Sequence, residues 1–269
     1  MWTEQNAPAL VTSGEPPLVQ NFLLRMLPRR DLQRLYPMLQ RSTLTPRRVL
    51  QHAGVPIEHV YFIEDGLVSV LANADERHAV EVCLIGREGV VGGAALLGVR
   101  SSPLRHFVQI GGDALRIRVE DLKRAACEMP QLRALLHSCL HGFLMQSSQS
   151  AACSLSHSLS QRLARWLLMA QDRSGRDEIP ITQELLARSL GVRRATVSEA
   201  FKPLESRGIF SKDRGLIRIL DRKRLEEIAC RCYRLMRLKK ESPAKSNGRD
   251  RFYALSIFCA LLEIESLVY

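Results

Sequence analysis

The stretch TQELLARSLGVRRATVSEAFKPLESRGIF, from Thr182 to Phe210, constrains the fold more than any other part of the chain. Thr182 is placed to cap a first helix, whose leading N–H groups need a side-chain oxygen. Counting from Gln183, Ala187 falls fifth, Gly191 ninth and Val197 fifteenth. A helix-turn-helix requires those types at those places. The small residue lets the second helix cross closely. The glycine takes the positive φ of a tight turn, and the β-branched residue packs the second helix back onto the first. Leu186, Leu190, Val192, Ala200, Phe201 and Leu204 complete the inward face, which leaves Arg193, Arg194, Ala195, Ser198, Glu199 and Lys202 outward. The basic residues crowd the end that enters a major groove in such motifs.

The next residues, GIFSKDRGLIRIL, read as strand, turn and strand: a wing whose basic tip, Lys212 and Arg214, is suited to phosphates. DRKRLEEIACRCY follows as a capped closing helix. Charge agrees with this reading. The chain has a net charge of +11, and from Gln171 to Lys240 there are 18 Lys/Arg against 10 Asp/Glu. So localised an excess favours a polyanion, nucleic acid ahead of an acidic membrane. Double-stranded DNA is the expected partner.

Upstream the pattern changes. Residues 1–20 are polar with prolines and read as a flexible arm. A helical period in Leu23, Leu24, Leu27, Leu32 and Leu35 is broken by Pro28 and Pro37. After Arg41 come short strands separated by turn residues. HVYFI and LVSVLA flank Asp65-Gly66, which predicts a hairpin, and HFVQI and ALRIRV flank Gly111-Gly112-Asp113. A small antiparallel β-roll is expected over 21–128. Helical period returns in VEDLKRAACEM and in a long segment opened by Pro130. There Leu132, Leu136, Cys139, Phe143, Gln146 and Ser150 follow a 4-3-4-3-4 spacing. That spacing predicts a two-helix seam over 129–170, with Leu132, Leu136, Cys139 and Phe143 as dimerisation contacts; a single helix lying on its own barrel satisfies it too. A hinge is expected near Ser154–Ser158, and the winged helix-turn-helix spans 171–240.

This order of parts, with YFIEDGLVSVLA, QRLARWLL and LARSLGVRRATVSEAFKPLESRGI, resembles the Crp/Fnr family of transcription regulators over about residues 21–235. The resemblance implies an α+β fold: an N-terminal cyclic-nucleotide-binding-like antiparallel β-roll, a long dimerisation helix and a C-terminal winged helix-turn-helix. It implies a homodimer that places one recognition helix in each half of a near-palindromic site, with RNA polymerase as a further partner for an activator. Against the family's Arg-Glu-Thr-Val-x-Arg pattern the helix reads Arg194-Ala195-Thr196-Val197-Ser198-Glu199. Arg194 keeps the guanine reader, its fork matching O6 and N7. Ala195 offers a methyl to thymine, Glu199 accepts from cytosine N4 or orients Arg194, and Thr196 and Ser198 are candidates for phosphate contacts.

The roll departs further from the cyclic-nucleotide-binding branch. That branch carries a Gly-Glu pair whose carboxylate holds the ribose, and an Arg that pairs with the cyclic phosphate. Here Gly92-Gly93 stands at the first place, and Ser101-Ser102-Pro103-Leu104-Arg105-His106 remodels the second. Gly92, Gly93, Ser101, Ser102 and Arg105 are the candidate effector pocket, and cyclic AMP is not the expected effector. A different ligand, haem or a thiol redox signal at Cys83 or Cys127 is the alternative; His78, Cys83 and His106 match no haem-ligation pattern.

Other classes are excluded by missing motifs. No phosphate loop, H-E-x-x-H, G-x-S-x-G or Rossmann fingerprint occurs, so no enzyme is expected. The seven cysteines form no C-x-x-C pair, and Cys230-x-Cys232 is too tight for the usual zinc chelate. No metal site and no cofactor are expected. The N-terminus has no signal-peptide pattern and no run of about 18 apolar residues occurs, so the expected location is the bacterial cytosol, in association with the nucleoid, with no membrane partner. Residues 241–269 form an extension beyond the resemblance.

Overall fold

The computed structural model describes residues 18–73 and 79–237; most of the N-terminal arm and all of the 241–269 extension lie outside the described residues. Asn21 anchors the first helix, α1 (Phe22–Met26), to the roll. Its side-chain oxygen accepts from the N–H groups of Leu23 and Leu24, and its amide donates to the carbonyls of Ile63 and Gly89. Pro28 stops α1 from running on into α2 (Arg29–Leu35).

The roll has two four-stranded antiparallel sheets. One runs in the order β1 (Gln40–Leu44), β8 (Gly112–Arg118), β3 (His59–Ile63), β6 (Val90–Val91). The other runs β2 (Val49–Gln51), β7 (Arg105–Ile110), β4 (Leu67–Asn73), β5 (Ala79–Ile85). The hairpin expected at Asp65-Gly66 is therefore not one. That turn carries the chain from β3 in one sheet to β4 in the other, and Gly111-Gly112 does the same between β7 and β8. The two corners touch: a Cβ on Gly66 would lie 2.6 Å from the Ile110 carbonyl oxygen, and one on Gly112 would lie 2.4 Å from the Asp65 carbonyl. A turn dipeptide announces a reversal; it does not say which strand receives the chain.

The helices α3 (Val119–Glu128) and α4 (Pro130–Ser156) follow, α4 being 27 residues or about 40 Å long. Leu132, Leu136 and Cys139 are buried among Leu24, Phe62 and Leu122 of the same chain, with half-buried Phe143 packed beside them. The 4-3-4-3-4 spacing thus marks the seam between α4 and its own roll, and these four residues are intrachain contacts rather than a free dimer face. Apolar residues at that spacing bury against whichever surface lies nearest.

At His157 the backbone leaves the helix, and Ser158 with Gln161 forms a capping box that starts α5 (Leu159–Ser174). Leu163, Leu167 and Leu168 share a core with Leu186, Val197, Phe201, Phe210 and Leu225. The C-terminal unit therefore begins at the hinge, not at residue 171. It comprises α5, β9 (Glu178–Pro180), α6 (Gln183–Leu190), α7 (Arg194–Ser206), β10 (Phe210–Asp213), β11 (Leu216–Ile219), α8 (Arg222–Ile228) and α9 (Cys232–Met236), with the strands ordered β10-β11-β9.

Candidate nucleic-acid interface

The turn between α6 and α7 is built as the spacing demands. The Thr182 hydroxyl accepts from the Leu185 N–H at 3.3 Å. Gly191 takes φ +65°, and its N–H reaches the carbonyls of Ala187 and Arg188. Ala187 is 3% exposed and Val197 fully buried, so both helices meet where the small and β-branched residues stand.

The opposite side of α7 is open. Arg193, Arg194, Ala195, Thr196, Glu199 and Lys202 are exposed, with Arg193 as the N-cap residue. No acidic residue lies in the first turn, so the positive end of the helix dipole adds to two guanidinium groups. Among the described residues Arg193, Arg194 and Lys202 form no ion pair. Ser198 is placed differently: its hydroxyl oxygen stands 3.0 Å from Gln183 Oε1 and 3.2 Å from the Arg194 carbonyl oxygen, the two acceptors competing for its one proton. It ties α7 to α6.

The wing turns at Arg214-Gly215, whose φ values of +29° and +87° give a tight two-residue loop closing the Asp213–Leu216 pair. Arg214 is exposed at the tip. Lys212 sits lower, 3.5 Å from Glu205 Oε2 and 5.7 Å from the Phe201 ring centroid. Arg47 of the roll and Arg188 of α6, neither singled out by the sequence, line a cleft of about 800 Å³ with Arg194, Lys212 and Arg214.

The face of the C-terminal unit that meets the roll is also charged, but its charges are spent internally. Arg173 Nε is 2.8 Å from Glu88 Oε1, the side chains 2% and 11% exposed, and its far nitrogen donates to Gln146 Oε1 at 2.8 Å. Asp65 at the sheet-switching corner pairs with Arg87 and Arg176; burial opposes its ionisation, but these partners hold its carboxyl below the usual carboxylate range. Glu81 of β5 accepts from Trp166 Nε1 at 2.7 Å and from the Ser189 hydroxyl at 3.0 Å. Desolvation outweighs those bonds and pushes its carboxyl up to about 7.

The candidate effector residues sit in different surroundings. A Cβ on Gly93 would lie 2.9 Å from Leu140 Cδ2, so α4 fills the space into which a longer side chain there would project. Gly92, at φ +84°, backs onto the His59 carbonyl. Ser101 bridges to Pro56, and the Ser102 hydroxyl accepts from the Leu104 N–H at 3.2 Å. Arg105 lines a separate cleft of about 980 Å³ between the roll and the α6–α7 turn, facing Arg193 and Arg194. Cys83 is buried, which pushes its thiol up and away from thiolate chemistry, whereas Cys127 is exposed. The sequence sets Cys230-x-Cys232 aside as too tight for a chelate by itself, but the fold brings Cys153 and His157 to the same pair across the hinge. Among the described residues no helix is long and apolar enough to cross a membrane.

Comparison with known proteins adds to this geometry. A family model described as a Crp-like helix-turn-helix domain matches residues 161–228, starting inside α5 as the shared core requires. The transcriptional regulator SdrP of Thermus thermophilus is 27% identical over 189 residues, covering 67% of this chain and 90% of that protein. Among solved structures, FixK2 of Bradyrhizobium japonicum superposes with a TM-score of 0.62 at 19% identity, over 71% of this chain and 98% of that one. The c-di-GMP responsive regulator CLP of Xanthomonas campestris superposes with a TM-score of 0.60 at 16% identity, over 71% and 99%. The last two establish the fold. The matched domain and the regulator relative support a transcriptional regulator of the Crp/Fnr type, with a Crp-like helix-turn-helix domain over residues 161–228.

Proposed function

We propose that the chain acts as a homodimer that binds a near-palindromic duplex site and regulates transcription without responding to cyclic AMP. The observation that carries this reading is the exposed N-terminal end of α7, where Arg193 and Arg194 stand beside the basic wing cleft without an ion pair among the described residues. Their forks suit guanine edges, and Arg47, Arg188 and Arg214 suit flanking phosphates. Homodimerisation is supported by the outward stripe of α4. His137, Leu144, Ser148, Ala151 and Leu155 are exposed, Leu144 at 63% and Leu155 at 91%, while Gly142 leaves open space for a close helix. The absence of a cyclic AMP response is supported by Leu140 packed on Gly93.

The test is selection of bound sequences from a random duplex pool, with and without cyclic AMP. A recovered site with two-fold symmetry, bound more weakly as salt rises and unaffected by cyclic AMP, bears the proposal out. Binding that ignores salt and survives Arg194→Ala unchanged overturns it.

A second reading keeps the DNA role and makes the roll a sensor for another effector. The polar clasp of Glu81, Glu88 and Asp65 on α5, α6 and the segment following α5 favours it, since a ligand that shifts β5 shifts the C-terminal unit with it. Melting curves across a panel of metabolites, haem and oxidants test that reading.

A further inference from the structure

Four side chains that no function described above uses meet at the hinge. Cys153 lies in the last turn of α4 and His157 caps its end, an i, i+4 pair on one side of the helix. Cys230 follows α8 and Cys232 opens α9, the two brought round by a turn in which the Tyr233 N–H donates to the Cys230 carbonyl at 2.9 Å. All four ligand atoms lie within 4.8 Å of one another.

The separations discriminate between chemistries. Zinc bonds of about 2.3 Å to sulfur and about 2.0–2.1 Å to nitrogen in a tetrahedron give edges of roughly 3.8 Å between sulfurs and roughly 3.6 Å from sulfur to nitrogen. Cys153 Sγ stands 3.5 Å from Cys230 Sγ, and Cys232 Sγ stands 3.6 Å from His157 Nδ1. A disulfide needs about 2.05 Å. An iron–sulfur cluster, with several irons and sulfides between its thiolates, spreads its ligands wider than this group allows.

The surroundings suit an anionic metal centre. Three thiolates and a neutral imidazole around a dication leave one net negative charge. Arg165 is 7% exposed, lies against Met236 Sδ, and its Nε has no hydrogen-bond partner. Gln149 Nε2 donates to Cys232 Sγ at 3.0 Å, the kind of contact that orients a ligand from outside the coordination sphere. Cys153, Cys230 and Cys232 are buried, so four protein ligands can close the sphere as in structural zinc sites.

We propose that Cys153, His157, Cys230 and Cys232 bind one Zn²⁺ tetrahedrally and thereby clasp the C-terminal unit to the end of α4. On binding, each thiol gives its proton to solvent and its sulfur lone pair to the metal, with no oxidation. The clasp spans Ser158, the residue about which the two halves of the chain would move. Metal loading then sets the angle at which α7 is presented.

The experiment uses the full chain, purified reduced and stripped of metal, and titrated with Co²⁺ as a spectroscopic stand-in for Zn²⁺. Thiolate charge-transfer and tetrahedral ligand-field bands are expected to saturate at about one equivalent per chain and to be displaced by Zn²⁺. Cys153→Ser and Cys232→Ser should abolish the bands, Gln149→Ala should weaken binding about tenfold, and Cys127→Ser, on the exposed face of α3, should change nothing. If a serine variant fails to fold, thiol labelling of the wild type decides: added zinc should protect three thiols from reagent. No cobalt bands in the wild type, an intact Cys153–Cys230 disulfide in the non-reduced protein, or a chromophore carrying iron and sulfide each overturns the site. Chelation should also speed proteolysis at residues 156–159, and unchanged cleavage after metal loss overturns the clasp.

Discussion

Arg173 and Arg194 belong to the same C-terminal unit. The Arg173 side chain is 2% exposed with Glu88 at 2.8 Å, whereas Arg194 stands in solvent with no ion pair among the described residues. The back of the unit spends its cations on Glu88 and Asp65 of the roll; the recognition side leaves Arg193, Arg194 and Lys202 without an ion pair among the described residues. A guanidinium is costly to bury and pays little on a surface, so each arrangement implies a purpose. Paired arginines hold the unit against the roll. Unpaired ones crowded at a helix N-terminus repel each other until an outside anion arrives.

The largest difference between the two groups should be in stability. Arg173→Ala leaves the Glu88 carboxylate buried without its cation and should cost about 3–5 kcal/mol. Denaturant unfolding measures it, and a cost near zero would mean that the pair is solvated and the contrast with Arg194 is false. Arg194→Ala should reverse the profile. Stability should stay within about 0.5 kcal/mol, while DNA binding loses about 1–3 kcal/mol and one base position relaxes. Duplex titrations with single-base variants check this; uniform weakening at every position would move Arg194 into the phosphate-binding class.

Why the two groups differ in legibility follows from the range of their contacts. Thr182, Ala187, Gly191 and Val197 act on neighbours within the same two helices, so their spacing is readable from sequence and the structure places each as read. Glu81 meets Ser189 across 108 residues, and Cys153 meets Cys230 across 77. No periodicity links residues so far apart. The α4 seam shows a different limit: period locates an apolar stripe without naming what covers it, and here the roll covers Leu132, Leu136 and Cys139. The same holds at Asp65-Gly66, where a turn signal was right about the turn and wrong about the strand pairing.

Glu81 lies between the two groups, a carboxyl at the roll interface with no ion pair among the described residues. Its folded value of about 7 is above that of the open chain, so protonation favours the packed state. The stability it confers is full below the ordinary carboxylate range and is lost as pH rises through about 7. From pH 6 to pH 8 the packing of the roll on α5 and α6 should weaken by on the order of 1 kcal/mol. Amide exchange in β5 and α6 reads this directly, and Glu81→Gln should flatten the profile. A profile that keeps its midpoint in that variant assigns the titration elsewhere.

The smallest effect separates the two wing cations. Arg214 is at the tip, whereas Lys212 is held by Glu205 and covers Phe201. Arg214→Ala should weaken binding evenly across sequences and reduce the slope of log affinity against log salt by about 0.9, the signature of one lost phosphate contact. Lys212→Ala should change the slope less, because reaching a phosphate first requires leaving Glu205. Equal slopes for the two variants would show that the Lys212–Glu205 pair opens freely on DNA, and that the divide between spent and unspent cations holds at the roll interface but not in the wing.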